Sequence, residues 1–209
     1  VRGAYPIAAL EAAGAAVECG PGDAVDVRFP LTAEGLGAYD LVLLSDVGAD
    51  TLQITPRVAD GETDVNRCRL LAEYVADGGA FGMIGGYMSF AGKHGAARYG
   101  LTAIDDILPV TVGRADDRVE APHGPHPRPK DALPGSPPSK WPSILGYNLV
   151  EADPDATVWA TVDGDPLLVV GDYGDGSAVA FTTDCAPHWA PETFLKWEYL
   201  PTLWSSILD

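Results

Sequence analysis

The sequence is poor in lysine and cysteine, and it lacks any long uninterrupted apolar run. Only 4 of its 209 residues are lysine, and Lys and Arg together number 13 against 30 Asp and Glu, which gives a formal net charge of −17 at pH 7. That charge repels both the phosphate backbone of nucleic acids and anionic membrane surfaces. No apolar stretch approaches the ~20 residues that cross a bilayer. The composition therefore argues against a nucleic-acid or membrane partner.

The cysteines are as informative in their spacing as in their scarcity. Cys19, Cys68 and Cys185 are odd in number and far apart, and no CxxC pair is present. This is neither a disulfide framework nor a zinc ribbon, and it favours a reducing, cytoplasmic compartment. No HxxxH motif occurs either, so we predict no cofactor and no metal site. A divalent cation held by Asp46, Asp184 and His188 is an alternative.

What the sequence does contain is enough apolar material for one domain over residues 1–209. Hydrophobic residues make up 46% and charged residues 21% of the chain. Short apolar runs alternate with amphipathic stretches, which is typical of an α/β sheet covered by helices. Residues 41–45 and 80–84 are apolar without alternation, as in strands buried on both faces. The remaining elements predicted in the first part of the chain are a strand at 15–19 and helices at 5–13 and 64–76.

The later part of the chain contains an irregular segment, then predicted strands, then a predicted helix. Residues 113–142 are rich in Pro, His, Asp and Arg, and we predict an irregular surface arm there. Strands at 157–162, 166–171 and 177–183 follow, the last two joined as a C-terminal β-hairpin by a turn at 173–176. An aromatic helix at 193–208 closes the chain, kinked or split by Pro201.

The first predicted helix, residues 5–13, has no strand before it. A βαβ arrangement normally begins with one, so we expect the first strand of the sheet to lie outside the sequence shown.

Three of the predicted strands end in polar residues. The segments concerned are 45–48, 85–89 and 182–189. Ligands of α/β sheets bind beyond the carboxyl ends of the strands. If these strands are neighbours, one cleft receives the side chains of Asp46, Tyr87, Asp184, Cys185 and His188.

Four motifs near this cleft carry a family resemblance. They are Leu-Ser-Asp-Val-Gly-Ala at 44–49, Gly-Gly-Tyr-Met-Ser-Phe at 85–90, Leu-Gly-Tyr-Asn at 145–148 and Thr-Asp-Cys-Ala-Pro-His-Trp at 183–189. With their order along the chain, they resemble the class I glutamine amidotransferase-like superfamily. The closer resemblance is to its glutamine amidotransferase-like cytoplasmic proteins, which are related to the trehalose-utilisation (ThuA)-like proteins. The resemblance implies a three-layer, flavodoxin-like, mostly parallel sheet.

The sequence departs from this family at the positions that carry glutamine hydrolysis. That reaction needs a thiolate on a strand-to-helix elbow, a histidine base and backbone N–H donors. The elbow here is Ile84-Gly85-Gly86-Tyr87, and no cysteine lies between 69 and 184. Asp46-Val47 replaces the Gly-Gly of the oxyanion side, and His188 and Glu192 are four residues apart instead of two. We therefore expect no glutaminase activity.

Three functions remain open. The first is binding of a small polar metabolite, such as a sugar or amino-acid derivative, by residues at the strand ends: Asp46, Gly86, Tyr87, Ser89, Tyr147 and Asn148. The second is a hydrolase or isomerase with a rebuilt site, in which Asp184 orients His188 and Cys185 is the nucleophile. The third is a non-catalytic interaction module that forms a homo-oligomer through the aromatic C-terminal helix.

Each site residue also has a structural explanation. A lone cysteine after a strand is commonly a small buried hydrophobe. Ser89 and Asp184 could cap helices, and Asp116-Asp117-Arg118 could be either a ligand contact or a surface ion pair.

Overall fold

A computed structural model describes residues 4–20 and 22–208 and contains one six-stranded sheet with two small two-stranded sheets. The strand order in the large sheet is β1-β2-β10-β9-β8-β5, and β3 pairs with β7 and β4 with β6. The strands are β1 Leu41–Ser45, β2 Ala80–Ile84, β3 Val110–Thr111, β4 Arg118–Glu120, β5 Arg128–Pro129, β6 Gly146–Asn148, β7 Glu151–Ala152, β8 Thr157–Val162, β9 Asp165–Tyr173 and β10 Gly176–Phe181.

Short helices connect these strands. They are α1 Ala4–Ala12, α2 Val25–Arg28, α3 Ala33–Leu36, α4 Ala49–Gln53, α5 Pro56–Ala59, α6 Arg67–Ala76, α7 Ala103–Ile107, α8 Glu192–Leu195 and α9 Leu200–Leu208. Single 3₁₀ turns occur at Gly22–Ala24, Lys93–Gly95 and Tyr99–Leu101. Where the sequence supplies a cap, the helix begins there: the Asn66 side chain accepts a hydrogen bond from the Arg69 amide at the start of α6.

The large sheet is mixed, so the predicted mostly parallel sheet is wrong. β2 pairs in parallel with β1 and β10, whereas β10, β9, β8 and β5 pair antiparallel in turn. The physical reason is the length of the connections. Residues 163–164 join β8 to β9 and residues 174–175 join β9 to β10, and loops of two residues permit only antiparallel neighbours. The predicted C-terminal hairpin is confirmed.

Two apolar clusters lie on opposite faces of this sheet. Successive residues of one strand belong to different clusters, as Met83 and Ile84 do in β2, because neighbouring strand residues point to opposite faces. The first cluster is covered by α6 and α7, and the second contains Phe181 of β10 and Trp204 of α9. Trp204 packs edge-on against Phe181, with 6.1 Å between ring centroids.

Three further expectations need correction. Residues 15–19 form no strand, since no described strand pairs with them. The C-terminal helix is two helices separated by 196–199, and Pro201 lies in the first turn of α9, where a missing N–H costs nothing. Residues 113–142 are largely irregular as expected, but Leu133 and Trp141 are buried in the second cluster, so the segment packs against the sheet instead of projecting from it.

The strand expected before the first helix lies outside the described residues. None of the helices within 4–20 and 22–208 is long and apolar enough to cross a membrane.

Candidate functional site

The elbow after β2 lies between the ends of β1 and β10, its two neighbours. Gly85 donates its N–H to the Phe181 and Thr183 carbonyl oxygens, at 2.7 and 3.1 Å. A Cβ atom at Gly85 would overlap the backbone of Thr182. Only glycine permits this close approach of the two chains, which explains the first residue of the Gly-Gly pair.

The buried side chains of Asn148 and Asp117 form hydrogen bonds that fix the elbow and the residues just after it. Asn148, with no exposed surface, accepts the Gly86 N–H through Oδ1 at 2.9 Å and donates from Nδ2 to the Gly86 carbonyl at 3.2 Å and to Asp117 Oδ1 at 2.8 Å. Asp117 also accepts the amides of Ala91 and Gly92, both at 2.9 Å. Burial raises the pKa of Asp117, although each of these hydrogen bonds favours its ionised form. We call Asp117 and Asn148 the buried clamp.

The clamp accepts the Gly86 amide of the elbow, and Asp46 accepts the amide of Met88, the residue after it. The Asp46 carboxylate accepts the Met88 N–H at 2.7 Å, and the Asp46 N–H donates to Ser89 Oγ at 3.1 Å. Asp46 holds a left-handed conformation, with φ of 55°, at the end of β1. The Met88 amide follows directly after the elbow residue Tyr87. An amide in that position is the kind of donor that stabilises an oxyanion, and here an internal carboxylate already binds it.

Tyr87 is the centre of the exposed part of the site. Its ring lies 4.7 Å from the Arg118 guanidinium and 5.4 Å from Lys93 Nζ, and the His188 ring meets it edge-on at 4.6 Å. Its hydroxyl donates to Glu120 Oε1 at 2.7 Å, and this hydrogen bond raises the pKa of Tyr87. We call these five residues the tyrosine cluster.

Neighbouring groups orient the tyrosine cluster. The buried Trp189 donates from Nε1 to Glu120 Oε2 at 3.2 Å and stacks on His188 at 5.5 Å. Arg118 forms a two-point ion pair with Asp116, at 2.9 and 2.7 Å, which raises the pKa of Arg118 and lowers that of Asp116. The cluster thus combines an aromatic ring, two cations, an imidazole and a carboxylate in fixed relative positions.

Of the three residues expected to form a catalytic set, the structure separates Cys185 from Asp184 and His188. Cys185 is buried, lies 3.5 Å from Ser45 Oγ, and lines a small apolar hollow with Phe181 and Trp204. Burial raises the pKa of its thiol to about 11. The side chain of His188, 44% exposed, faces Tyr87 instead, and its Nδ1 is 4.0 Å from Asp184 Oδ2. Within the described residues, no hydrogen bond joins Cys185 to His188.

The predicted ligand-binding residues divide between surface and interior. Asp46 is exposed and Tyr87 half-buried, so both are within reach of a ligand. Ser89 is buried and donates to the Ile84 carbonyl at 2.6 Å, while Tyr147 is buried and donates to Asp165 at 2.7 Å. Asn148 and Gly86 are buried in the clamp contact. Four of the six residues therefore support the site instead of lining it.

Sequence reasoning missed Lys93, Glu120 and the indole of Trp189 as parts of this site. Glu120 lies in the segment predicted to be an irregular arm, and only the pairing of β4 with β6 brings it beside the elbow. The Asp116-Asp117-Arg118 run was the one available signal, and it contains both a clamp residue and a cluster residue. No group of three or more His, Cys, Asp or Glu side chains suited to a metal ion occurs among residues 4–20 and 22–208.

An α/β domain whose central parallel strand ends in a Gly-Gly elbow, beside a carboxylate-bearing loop after the neighbouring strand, has the framework of an amidotransferase-like domain. The chain belongs to the GATase1_like family, described as "Putative glutamine amidotransferase", whose model matches residues 2–209. No curated protein sequence matches the chain.

Two solved structures are similar over nearly the whole chain. Cytoplasmic protein STM1381 from Salmonella typhimurium LT2 is 39% identical with a TM-score of 0.93, covering 98% of this chain and 84% of that one. Cytoplasmic protein STM3548 from Salmonella typhimurium is 33% identical with a TM-score of 0.94, covering 99% and 85%. A ThuA-like protein from Parabacteroides merdae shares the fold alone, with 12% identity, a TM-score of 0.51 and coverage of 82% and 69%.

Proposed function

We propose that this protein binds a small polar metabolite at the tyrosine cluster and does not hydrolyse glutamine. The observation that supports binding is the environment of Tyr87, where two cations, an imidazole and a carboxylate surround one ring above a fully hydrogen-bonded buried clamp. Aromatic and charged side chains held in fixed positions suit a ligand that has both an apolar face and several polar groups. A sugar or an amino-acid derivative has this character.

The absence of glutamine hydrolysis follows from the elbow. Tyr87 has no nucleophilic thiol to offer, and the Met88 and Gly86 amides already donate to Asp46 and Asn148. An acyl transfer needs both an activated nucleophile and free donors for the oxyanion. Asp46 would also oppose the negative charge that develops there.

We also propose a three-layer, flavodoxin-like scaffold and a cytoplasmic location for this protein. Core clusters on both faces of the sheet support a three-layer, flavodoxin-like scaffold over residues 1–209. The two similar Salmonella proteins, both described as cytoplasmic, support a cytoplasmic location. The enzyme with an Asp184–Cys185–His188 site and the oligomeric interaction module stay predictions. Turnover measured in C185A and H188A tests the enzyme, since full activity in both variants would contradict it. The molar mass from light scattering on a sizing column tests the oligomer.

A thermal-shift panel of neutral sugars, polyols, amino acids and dicarboxylates tests the binding proposal. A ligand present at ten times its Kd stabilises the folded state by about 1.4 kcal/mol, which raises the Tm by several degrees. Y87A should abolish that rise. Y173A is the matched control, because Tyr173 is half-buried at the opposite end of the sheet, beside Gly176. A rise that persists in Y87A, a panel without any rise, or ammonia release from glutamine would contradict the proposal.

A further inference from the structure

A hollow of about 510 Å³ lies at the link between the last two helices, α8 and α9. Its walls are formed by Pro138, Lys196, Trp197, Glu198, Tyr199 and Thr202. We call it the aromatic hollow. Its volume is within the range of small-molecule sites, and none of its residues belongs to the buried clamp or to the tyrosine cluster.

Packing fixes the two aromatic rings that line this hollow. The ring centroid of Trp197 lies 5.2 Å from that of Tyr199 and 5.2 Å from that of Trp141. The Phe194 ring lies 6.0 Å from Trp197. Trp141 and Phe194 are buried, whereas Trp197 and Tyr199 are half-buried. A ligand in the hollow therefore meets two rings whose positions are already set, and binding loses little free energy in ordering them.

Two polar atoms of this aromatic group have no hydrogen-bond partner among the described residues. They are the hydroxyl oxygen of Tyr199 and Nε1 of Trp141, and both atoms are buried. A buried donor without a partner lowers the stability of the fold, and an apolar side chain would avoid that cost. Stability alone therefore does not explain the residue types here. The ring faces of Trp and Tyr are also the ones that attract cations well.

The charges at the hollow leave one carboxylate uncompensated. Lys196 forms an ion pair with Glu192, one helical turn earlier. Glu198 lies on the same wall and is exposed, and no side chain within residues 4–20 and 22–208 pairs with it. The ion pair cancels, so the charge of Glu198 remains. In a chain of net charge −17, this wall attracts a cation and repels an anion.

The acceptors of the wall decide which kind of cation fits. A primary ammonium has three N–H donors, each of which needs an acceptor when water is displaced. The accessible side-chain acceptors are the Glu198 carboxylate and the Thr202 hydroxyl, since the Tyr199 oxygen is buried. A quaternary ammonium has no N–H group, and its methyl groups carry the positive charge directly against aromatic faces. It is the better fit.

We propose that the aromatic hollow binds a small organic cation through a quaternary ammonium group that lies against Trp197 and Tyr199 and pairs with Glu198. The ring faces and the carboxylate together select the cation over a neutral molecule of the same shape. This site is separate from the tyrosine cluster and does not depend on the function proposed for it.

The test compares choline with its neutral carbon isostere, dimethylbutanol, at constant ionic strength. Calorimetry measures the Kd, and NMR follows the indole N–H signals of the five tryptophans, with W197F identifying the signal of Trp197. Choline should shift that signal and leave the signal of Trp189, which lies at the tyrosine cluster, unchanged. Dimethylbutanol should bind about 10-fold more weakly than choline, because it has the shape without the charge.

Neutralising one carboxylate in the protein gives the matched comparison. E198Q should weaken choline binding by about 3- to 10-fold at low ionic strength and leave dimethylbutanol binding unchanged. E151Q makes the same change at an exposed residue of β7 and should alter neither. Both side chains are exposed, so both variants should fold.

Four results would overturn the proposal. They are a Trp197 signal that choline does not move, a shift of the Trp189 signal in its place, equal binding of choline and dimethylbutanol, and choline binding that E198Q leaves unchanged. A Trp197 signal that moves with protein concentration alone would also overturn it, since a second copy of the chain would then occupy the hollow.

Discussion

Replacing Asn148 with alanine is the most direct test of the buried clamp. The substitution removes the acceptor for the Gly86 N–H, the donor to the Gly86 carbonyl and the donor to Asp117 Oδ1. Leaving a buried amide unpaired costs about 1–3 kcal/mol, and losing a hydrogen bond to a charged group costs about 1.5–3 kcal/mol. Because these terms overlap, we expect N148A to lower the free energy of unfolding by about 3–5 kcal/mol near pH 8.

The loss of unfolding free energy in N148A should also depend on pH, and the pKa of Asp117 determines whether it grows or shrinks as the pH rises. Burial raises the pKa of Asp117 above its usual 3.8, so the folded protein binds this proton more readily than the unfolded chain does. The contribution of Asp117 to stability is therefore most favourable at low pH, and it declines as the pH rises from about 3.8 through the raised pKa. Asn148 lowers that pKa, so N148A extends the decline to higher pH. Each unit of additional shift adds about 1.4 kcal/mol to the cost at alkaline pH.

Urea unfolding followed by tryptophan fluorescence at about pH 5.5 and about pH 8 measures both effects. The control is N66A, which removes a side-chain cap of α6 at an exposed residue. We expect it to cost about 1 kcal/mol at either pH. If N148A costs no more than N66A at either pH, the buried clamp does not stabilise the fold as we propose.

Two further predictions concern the interior of the site. Maleimide labelling of the native protein should modify the exposed Cys19 quickly and Cys185 slowly, because burial raises the pKa of Cys185 to about 11 and leaves little thiolate near neutrality; equal rates by mass spectrometry would refute this. G85A should destabilise the fold by more than about 3 kcal/mol, since its Cβ would overlap the backbone of Thr182, whereas G113A, with no atom within 4 Å of the added Cβ, should change stability by less than about 0.5 kcal/mol in the same urea assay.

Local sequence patterns were sufficient to predict several strands and one hairpin. The runs at 41–45 and 80–84 were predicted as strands and are β1 and β2, because an uninterrupted apolar run can be buried only between two covered faces. The hairpin of β9 and β10 was predicted from its turn glycines. The segment 15–19 has a strand's alternation too, but a strand exists only with a partner, and none of the described residues supplies one.

Whether a predicted site residue lines the site or supports it depends on the direction of its side chain, which the sequence does not give. Tyr147 and Asn148 follow each other in β6, and the sequence analysis assigned both to the ligand-binding site. Both are buried, since Asn148 turns to the elbow and Asp117 while Tyr147 turns to Asp165. Cys185 and His188 are three residues apart, yet one enters the apolar core and the other packs on Tyr87.

Composition and short motifs were enough to predict an α/β domain of high negative charge, an elbow without a cysteine, and polar residues at the ends of strands. These properties depend on composition and on short-range periodicity, which are encoded locally. The mixed pairing of the sheet, the hydrogen bond from the Met88 amide to Asp46, and the contacts of Glu120, Arg118 and Lys93 with Tyr87 became visible in the folded chain alone. Those contacts join residues far apart in the chain, and their formation depends on how the loops close over the sheet.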